Sequence, residues 1–500
     1  MILIDLILQG TFSDIFRSRT SVQEFQTCSF MQQKVGAGHG IVESIPGLNR
    51  LSLTDRQGWR SARVSRNSKM RSQWMKPERL FKQLNIATAL MLFVAISAFA
   101  STDKANGKKF TFTTKSKEAT ETVEQIVKGI ESYQGGQPML ALAQKAVAAD
   151  PDFAFAHYLV GTMTPPPNNK THTDKAIELA KKASDAERLY IEAVMLTRAQ
   201  SYAEATKIFL DLEKQYPEER MVRMMLAQVY LNTGKLDQAK AALEKAIQID
   251  GSTPRAYGFL GNVHLLKGDY AKARELYTTA LSKPAQGVAP FLPYNGLAYT
   301  YIYEGKPDEA LKSLNKYLEA YNQSGGPQGF PPVFILNAIG RVLLESGRAE
   351  ESIKFYEKGY ATVESSNLDE MQKKIWYGRL LHGKGRALAK MGKSEEAWQQ
   401  AETIKKMIEE GGEQGQQFMP SYHYIAGYLK LESKDYAKAV EHLKQTDLND
   451  PFHKLLLARA YEMSGDKENS RKLYKEIVES NQISIERALS FNEAKKKLKS

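Results

Sequence analysis

The stretch MVRMMLAQVYLNTGKLDQAKAALEKAIQID, residues 221–250, decides how the whole chain is read. Two runs rich in Ala, Leu, Gln and Lys flank Asn232-Thr233-Gly234, and neither run shows the alternation of a strand. The small residue Ala227 lies seven residues before Gly234 and twelve before a second small residue, Ala239. Leu243 follows sixteen residues after Ala227. Two antiparallel helices joined by a tight turn approach closely only where their side chains are small, and glycine tolerates the positive φ of such a turn.

The same spacing recurs outward in both directions. Small residues at Ala193, Ala227, Gly261, Ala298, Gly340, Gly385, Gly427 and Ala458 are each followed, twelve residues on, by Ala205, Ala239, Ala273, Ala310, Ser352, Ala397, Ala439 and Ser470. Seven residues after the first marker comes Gly234, Gly268, Gly305, Gly347, Gly392 or Gly465, with Gln200 and Lys434 in the two remaining registers. Sixteen after it comes a large residue, among them Phe209, Tyr277, Leu314, Tyr356, Leu443 and Tyr474. A fixed internal offset in eight registers predicts an all-α chain of stacked helix-turn-helix units.

These residues resemble the tetratricopeptide repeat, a helix-turn-helix unit of about 34 residues. In PRAYGFLGNVHLLKGDYAKARELYTTAL, residues 254–281, Tyr257, Leu260, Gly261, Tyr270, Ala273, Tyr277 and Ala280 fall on the pattern. Pro217 and Pro451 match its inter-repeat proline. A stretched copy lies around Gly161 and Ala176, and a more degenerate one spans about Thr120 to Pro151. The resemblance implies a right-handed α-solenoid of about 8–10 repeats over 120–480. Residues 481–500 then read as a C-terminal capping helix with a basic tail. The spacing between first markers varies from 31 to 45 while the internal offset stays constant, so the added length falls outside the paired core. Pro284–Pro293, Ser324–Pro332 and Gly411–Pro420 read as Gly/Pro-rich connections, and Leu368–Trp376 as an extended helix.

Upstream of the repeats, MKPERLFKQLNIATALMLFVAISAFA at 75–100 has the layout of a secretory signal. Lys76, Arg79 and Lys82 precede an apolar run over Ile86–Ile96, and Ala98-Phe99-Ala100 forms an A-x-A site before Ser101. The apolar run is short for a membrane span, which needs about 20 residues. Residues 1–74 read as a non-native or disordered extension, or else as a cytoplasmic tail ahead of a signal anchor. Residues 101–119 read as a polar linker. The expected location is periplasmic or secreted after cleavage near Ala100/Ser101, or anchored in the inner membrane.

Charge sharpens that division. The 69 Lys and Arg against 57 Asp and Glu give +12. Residues 1–74 hold 10 basic and 5 acidic side chains and the signal segment 3 and 1, which leaves 56 and 51 after Ala100. The repeat region is nearly balanced, so nucleic acid is not an expected partner. Cys28 is the only cysteine, which excludes an intramolecular disulfide and thiol chemistry in the repeats.

No metalloprotease helix, nucleophile elbow, phosphate loop or calcium loop occurs, and no cofactor, metal or catalytic residue is expected. His172 and Asp174 form a candidate metal pair, read as sitting in a Pro/Asn/Thr loop and plainly solvated. In the resembled family, the first helix of each repeat lines a concave wall at places three before and one after the small marker. Here those places hold Tyr158, Tyr190, Gln228, Asn262, Asn295, Tyr299, Asn337, Arg341, His382, Arg386, Tyr424, Tyr428 and Arg459. Amides and tyrosines bond a peptide backbone, and the arginines would receive an acidic residue or chain terminus. The expected function is a non-catalytic scaffold of the bacterial envelope that binds an extended protein segment in the groove. The alternative is a signal-anchored membrane protein presenting periplasmic repeats for complex assembly. The clamp that some cytosolic members use for chaperone tails is not reproduced by Met224, Gln228, Gly258 and Asn262.

Overall fold

The computed structural model describes residues 110–499 except 166, 284–286, 288, 327 and 328. The signal segment, the extension before it, residues 101–109 and Cys28 lie outside the described residues. Among the described residues there are 22 helices and no strand. Ten antiparallel pairs run from Lys117–Glu131 with Gln137–Ala149 to Pro451–Met463 with Lys467–Glu479, and each packs on the next. A short helix, Gly412–Gln416, and a final single helix, Ile485–Lys499, complete the set. The architecture is an all-α solenoid of stacked helix-turn-helix repeats. No helix among the described residues is long and apolar enough to cross a membrane.

The repeat spacing accounts for this geometry. Every small residue twelve after a marker is buried at the pair contact, from Ala205 and Ala239 at 0% exposure to Ser470 at 3%. The large residues sixteen after the marker fill the space beside it: Phe209, Leu243, Tyr277 and Leu314 are wholly buried. At the turn, Gly268 takes φ +80°, its N–H donates to the Leu265 carbonyl at 3.1 Å, and Asp269 N–H donates to the His264 carbonyl at 2.9 Å. That Schellman closure satisfies carbonyls the helix end leaves open. Gln200 and Lys434 adopt the same turn at φ +61° and +65° without being glycine, as their register requires. The second helix of several pairs starts on an aspartate cap: Asp269, Asp435 and Asp466 each accept a backbone N–H three residues on.

Tyrosine at the large position makes a demand on the next repeat. The Tyr277 ring lies between two helices whose backbones approach it at Gly261 and Gly296; a Cβ at Gly296 would stand 2.3 Å from its Cζ. Its hydroxyl donates to Asn262 Oδ1 at 2.7 Å. Tyr356 is likewise flanked by Gly340 and Gly383.

The added length takes two forms. Part is longer helix: Pro307–Ser324, Glu370–Lys390 and Ser394–Glu410 have 18, 21 and 17 residues. Glu370–Lys390 starts on a capping box between Asp369 and Gln372 within the stretch expected to be helical. The remainder is connection, although Gly411–Pro420 differs from a plain loop. It contains the helix Gly412–Gln416, and Pro420 opens the helix Met419–Glu432 at a first-turn position, where a missing N–H costs nothing.

Candidate protein-binding groove

The first helices of successive pairs, from Ala154–Met163 through Arg220–Asn232 to Pro451–Met463, carry the inner-wall positions. None of the thirteen candidate residues is exposed. What covers them is the chain itself.

In the N-terminal half the cover comes from the first pair and the segment 110–116 that leads into it. Phe110 stacks edge-on against Tyr190 at 6.0 Å and Tyr216 at 5.7 Å, and Phe112 lies 4.7 Å from Phe155. Tyr158 sits 5.1 Å from Phe155 in the same aromatic cluster. The turn after Lys117–Glu131 then reaches across to the fourth and fifth pairs. Arg220 Nε donates to Glu131 at 2.9 Å, with a second bond from Nη2 to the same carboxylate and one from Nη1 to Asp250. Arg255 donates to the Ile130 carbonyl at 3.3 Å, and Tyr133 Oη to the Pro254 carbonyl at 3.4 Å. Gln228 is half-buried, and Asn262 is committed to Tyr277. Burial raises the pKa of Glu131, an effect that Arg220 partly offsets.

In the C-terminal half the cover is the helix Ile485–Lys499. It packs on Lys467–Glu479 and also against three inner-wall helices, Phe291–Tyr303, Val333–Glu345 and Pro451–Met463. Arg341 donates to Glu486 at 2.6 Å, and Arg459 holds Glu493 through Nε at 2.7 Å and Nη2 at 2.6 Å. Lys497 reaches Glu462 at 2.6 Å, and Arg487 donates to the Tyr303 hydroxyl at 2.6 Å. Asn492 donates to the Tyr303 carbonyl at 2.9 Å, and Tyr299 meets the backbone of Ile485. Burial raises the pKa of Glu486, with Arg341 pulling the other way. Burial opposes the charge on Arg459, yet its bonds to Glu493 carry the pKa above the ordinary value.

Most of the remaining candidates bond across neighbouring repeats. Arg386, 4% exposed, donates to the Tyr356 hydroxyl at 3.2 Å and lies 3.5 Å from Glu345. Its guanidinium stands 5.5 Å from the Tyr424 ring and 5.9 Å from the Tyr428 ring. His382 bonds Ser421 at 2.6 Å and stacks on Tyr424. Burial, then the charges of Arg379 and Arg386, hold its pKa well below the usual histidine value. Asn295 turns its amide to the Phe291 carbonyl of its own helix, and Asn337 is half-buried with its Oδ1 lacking a protein partner.

Two features lay outside the sequence reading. The histidines, scattered in sequence, form two pairs across repeat helices: His157 and His172 meet through Nδ1 at 3.0 Å, and His423 and His442 at 2.9 Å. The two pairs are separated by 15 and 19 residues, so no shared spacing in the sequence marks them. The candidate pair His172 and Asp174 lies on the helix Lys170–Ala180 rather than in a loop. There Asp174 pairs with Lys170 at 2.6 Å, one helical turn away, while His172 faces His157. No group of three or more metal-ligating side chains occurs among the described residues.

Tetratricopeptide repeat families match residues 224–288 and 291–365. The type IV pilus assembly protein PilF of Pseudomonas aeruginosa is 27% identical over 149 residues, 30% of this chain and 56% of PilF. Superkiller complex protein 3 of Mus musculus is 32% identical over 90 residues, 18% of this chain and 6% of that protein. The chain therefore spans about half of one curated relative and a small part of the other. Among solved structures, PilW, a widely conserved type IV pilus biogenesis factor, is 16% identical, covers 46% of this chain and 96% of its own, and has a TM-score of 0.35. A tetratricopeptide repeat protein from Parabacteroides merdae is 16% identical, with coverage of 55% and 98% and a TM-score of 0.40. Residues 224–288 and 291–365 thus carry tetratricopeptide repeats, and the same helix pairs with small-residue contacts continue through the neighbouring described repeats.

Proposed function

We propose that the protein is a non-catalytic scaffold of the bacterial envelope that gathers partner proteins through the inner wall of its repeats. One observation carries this reading. The wall between Phe291–Tyr303 and Pro451–Met463 holds a polypeptide segment by matching Arg341 and Arg459 to carboxylates at 2.6–2.7 Å. A wall that seats one segment of protein chain in this way has the chemistry to seat another. The envelope assignment rests on the signal-like segment at 75–100 and on the relationship to PilF, itself a pilus assembly protein.

The test is capture of partners from an envelope extract by the full chain, compared with Arg341→Glu/Arg459→Glu. Reversing two charges places repulsion where attraction is required, and capture should fall at least tenfold. Equal recovery of the same partners by both proteins, with helical content unchanged by circular dichroism, would sink the reading.

A further inference from the structure

The helix in the groove is an unusual occupant. Its inward stripe is Glu486, Ser490, Glu493 and Lys497, at intervals of four, three and four residues that put them on one face. That is the spacing of an apolar docking stripe, filled with polar and charged groups. Glu486 is 5% exposed and Ser490 is wholly buried. The two carboxylates are two helical turns apart, about 10.5 Å along the axis. They meet Arg341 and Arg459, which lie on different repeats.

The fit is also incomplete. Arg341 Nε and Nη2, Arg487 Nε and Glu486 Oε2 are buried without a protein hydrogen-bond partner. Each such group keeps a desolvation cost that its occupant does not repay. The helix also buries Ile485, Ala488 and Ala494, so apolar contact anchors it beside the unsatisfied polar stripe. Polar, partly unsatisfied contacts mark an interface that exchanges partners rather than a permanent one. Asn481 and Gln482 ahead of the helix are exposed, with Gln482 Nε2 donating to the Asn449 carbonyl at 2.9 Å.

From these observations we infer that the groove between Phe291–Tyr303 and Pro451–Met463 is a receptor for a partner helix carrying two acidic side chains seven residues apart, with Ile485–Lys499 as its resident competitor. The inference rests on the scaffold reading above and specifies its ligand: an amphipathic helix with an acid, a small residue four on, a second acid at seven and a base at eleven. Binding then requires the resident helix to leave, so affinity in the intact chain is the groove's own affinity reduced by that competition.

The experiment uses the full chain with a protease site introduced at Asn481–Gln482, before and after cutting. The probe is a labelled alanine-rich helical peptide bearing Glu, Ser, Glu and Lys at the resident spacing. A second peptide has its two glutamates five residues apart. The first peptide should bind the cut chain at least tenfold more tightly than the uncut chain, displacing residues 482–500. The second should bind at least tenfold more weakly than the first. In the uncut chain, Glu486→Lys should raise affinity for the first peptide by freeing Arg341. Equal binding of the two peptides overturns the inference, as does a cut chain that retains its own helix and admits neither. If the peptides behave as expected but envelope extracts yield no partner, the receptor site stands and the scaffold reading falls. If partners are captured with the charge dependence stated above but the two peptides bind equally, the reverse holds.

Discussion

Replacing Gly296 with alanine tests the packing logic of the solenoid at its tightest point. The added Cβ would stand 2.3 Å from Tyr277 Cζ and 2.6 Å from Cε1 and Cε2, so it would press on the ring face. Ordinary carbon contacts begin near 3.5 Å, and the ring or the helix must retreat by about 1 Å. The ring has nowhere to go. Its other side already meets the backbone at Gly261, and its hydroxyl is tied to Asn262 at 2.7 Å. Overpacking of this kind costs about 3 kcal/mol, the upper part of the usual range. Alanine returns about 1 kcal/mol of helix propensity, so the net loss is about 2 kcal/mol. Because solenoids unfold repeat by repeat, the loss should be read by amide exchange in Tyr270–Ser282 and Phe291–Tyr303 together with the urea midpoint. In a Tyr277→Leu background the same substitution should cost nothing further, since the leucine leaves the space empty. A Gly296→Ala protein as stable as its parent, or an equal cost in both backgrounds, would refute the reasoning.

Three further outcomes are expected. Burial lowers the pKa of His382 and of His453, so the unfolded chain takes up those protons first. Their stabilising contribution is complete above about pH 6.5 and is lost as pH falls below it, at up to about 1.4 kcal/mol per pH unit for each. Urea midpoints at pH 7.5, 6.5 and 5.5 should fall accordingly, and His382→Gln should flatten the slope; a parallel slope would refute the assignment. Lys434→Gly and Gln200→Gly, at turns with φ near +65° and +61°, should each stabilise their repeat by about 0.5–1 kcal/mol in thermal melts. Arg220→Lys keeps the charge but loses the two-pronged grip on Glu131. It should cost about 2 kcal/mol, seen as faster amide exchange across Lys117–Ala149.

The repeat itself was legible because it is written in local spacing. Ala205, Ala239 and Tyr277 occupy the places that a fixed twelve- or sixteen-residue offset assigns, and Gln200 and Lys434 take the left-handed turn that their register demands. Each of these contacts joins residues fewer than twenty apart. The groove was a different matter. The inner-wall positions can be counted from the markers, but their occupants arrive from far away: Glu131 to Arg220, Glu486 to Arg341, Arg487 to Tyr303. The stripe on Ile485–Lys499 carries no apolar signal, so pattern reading makes it a terminal cap that shields the final repeat. Its destination is set by charge matching across repeats, and periodicity does not encode that.

The Arg341–Glu486 pair also puts a clock into biosynthesis. The two residues are 145 positions apart. At about 5–20 residues per second, the carboxylate is made roughly 7–30 s after the guanidinium it will neutralise. Arg459 follows late in that interval, only 34 residues ahead of Glu493, so both arginines stand without the resident helix for about 2–7 s. A partner present during synthesis meets no competitor, whereas one that comes later must evict a helix tethered at high local concentration. Order of arrival, as well as affinity, thus decides what the repeats hold.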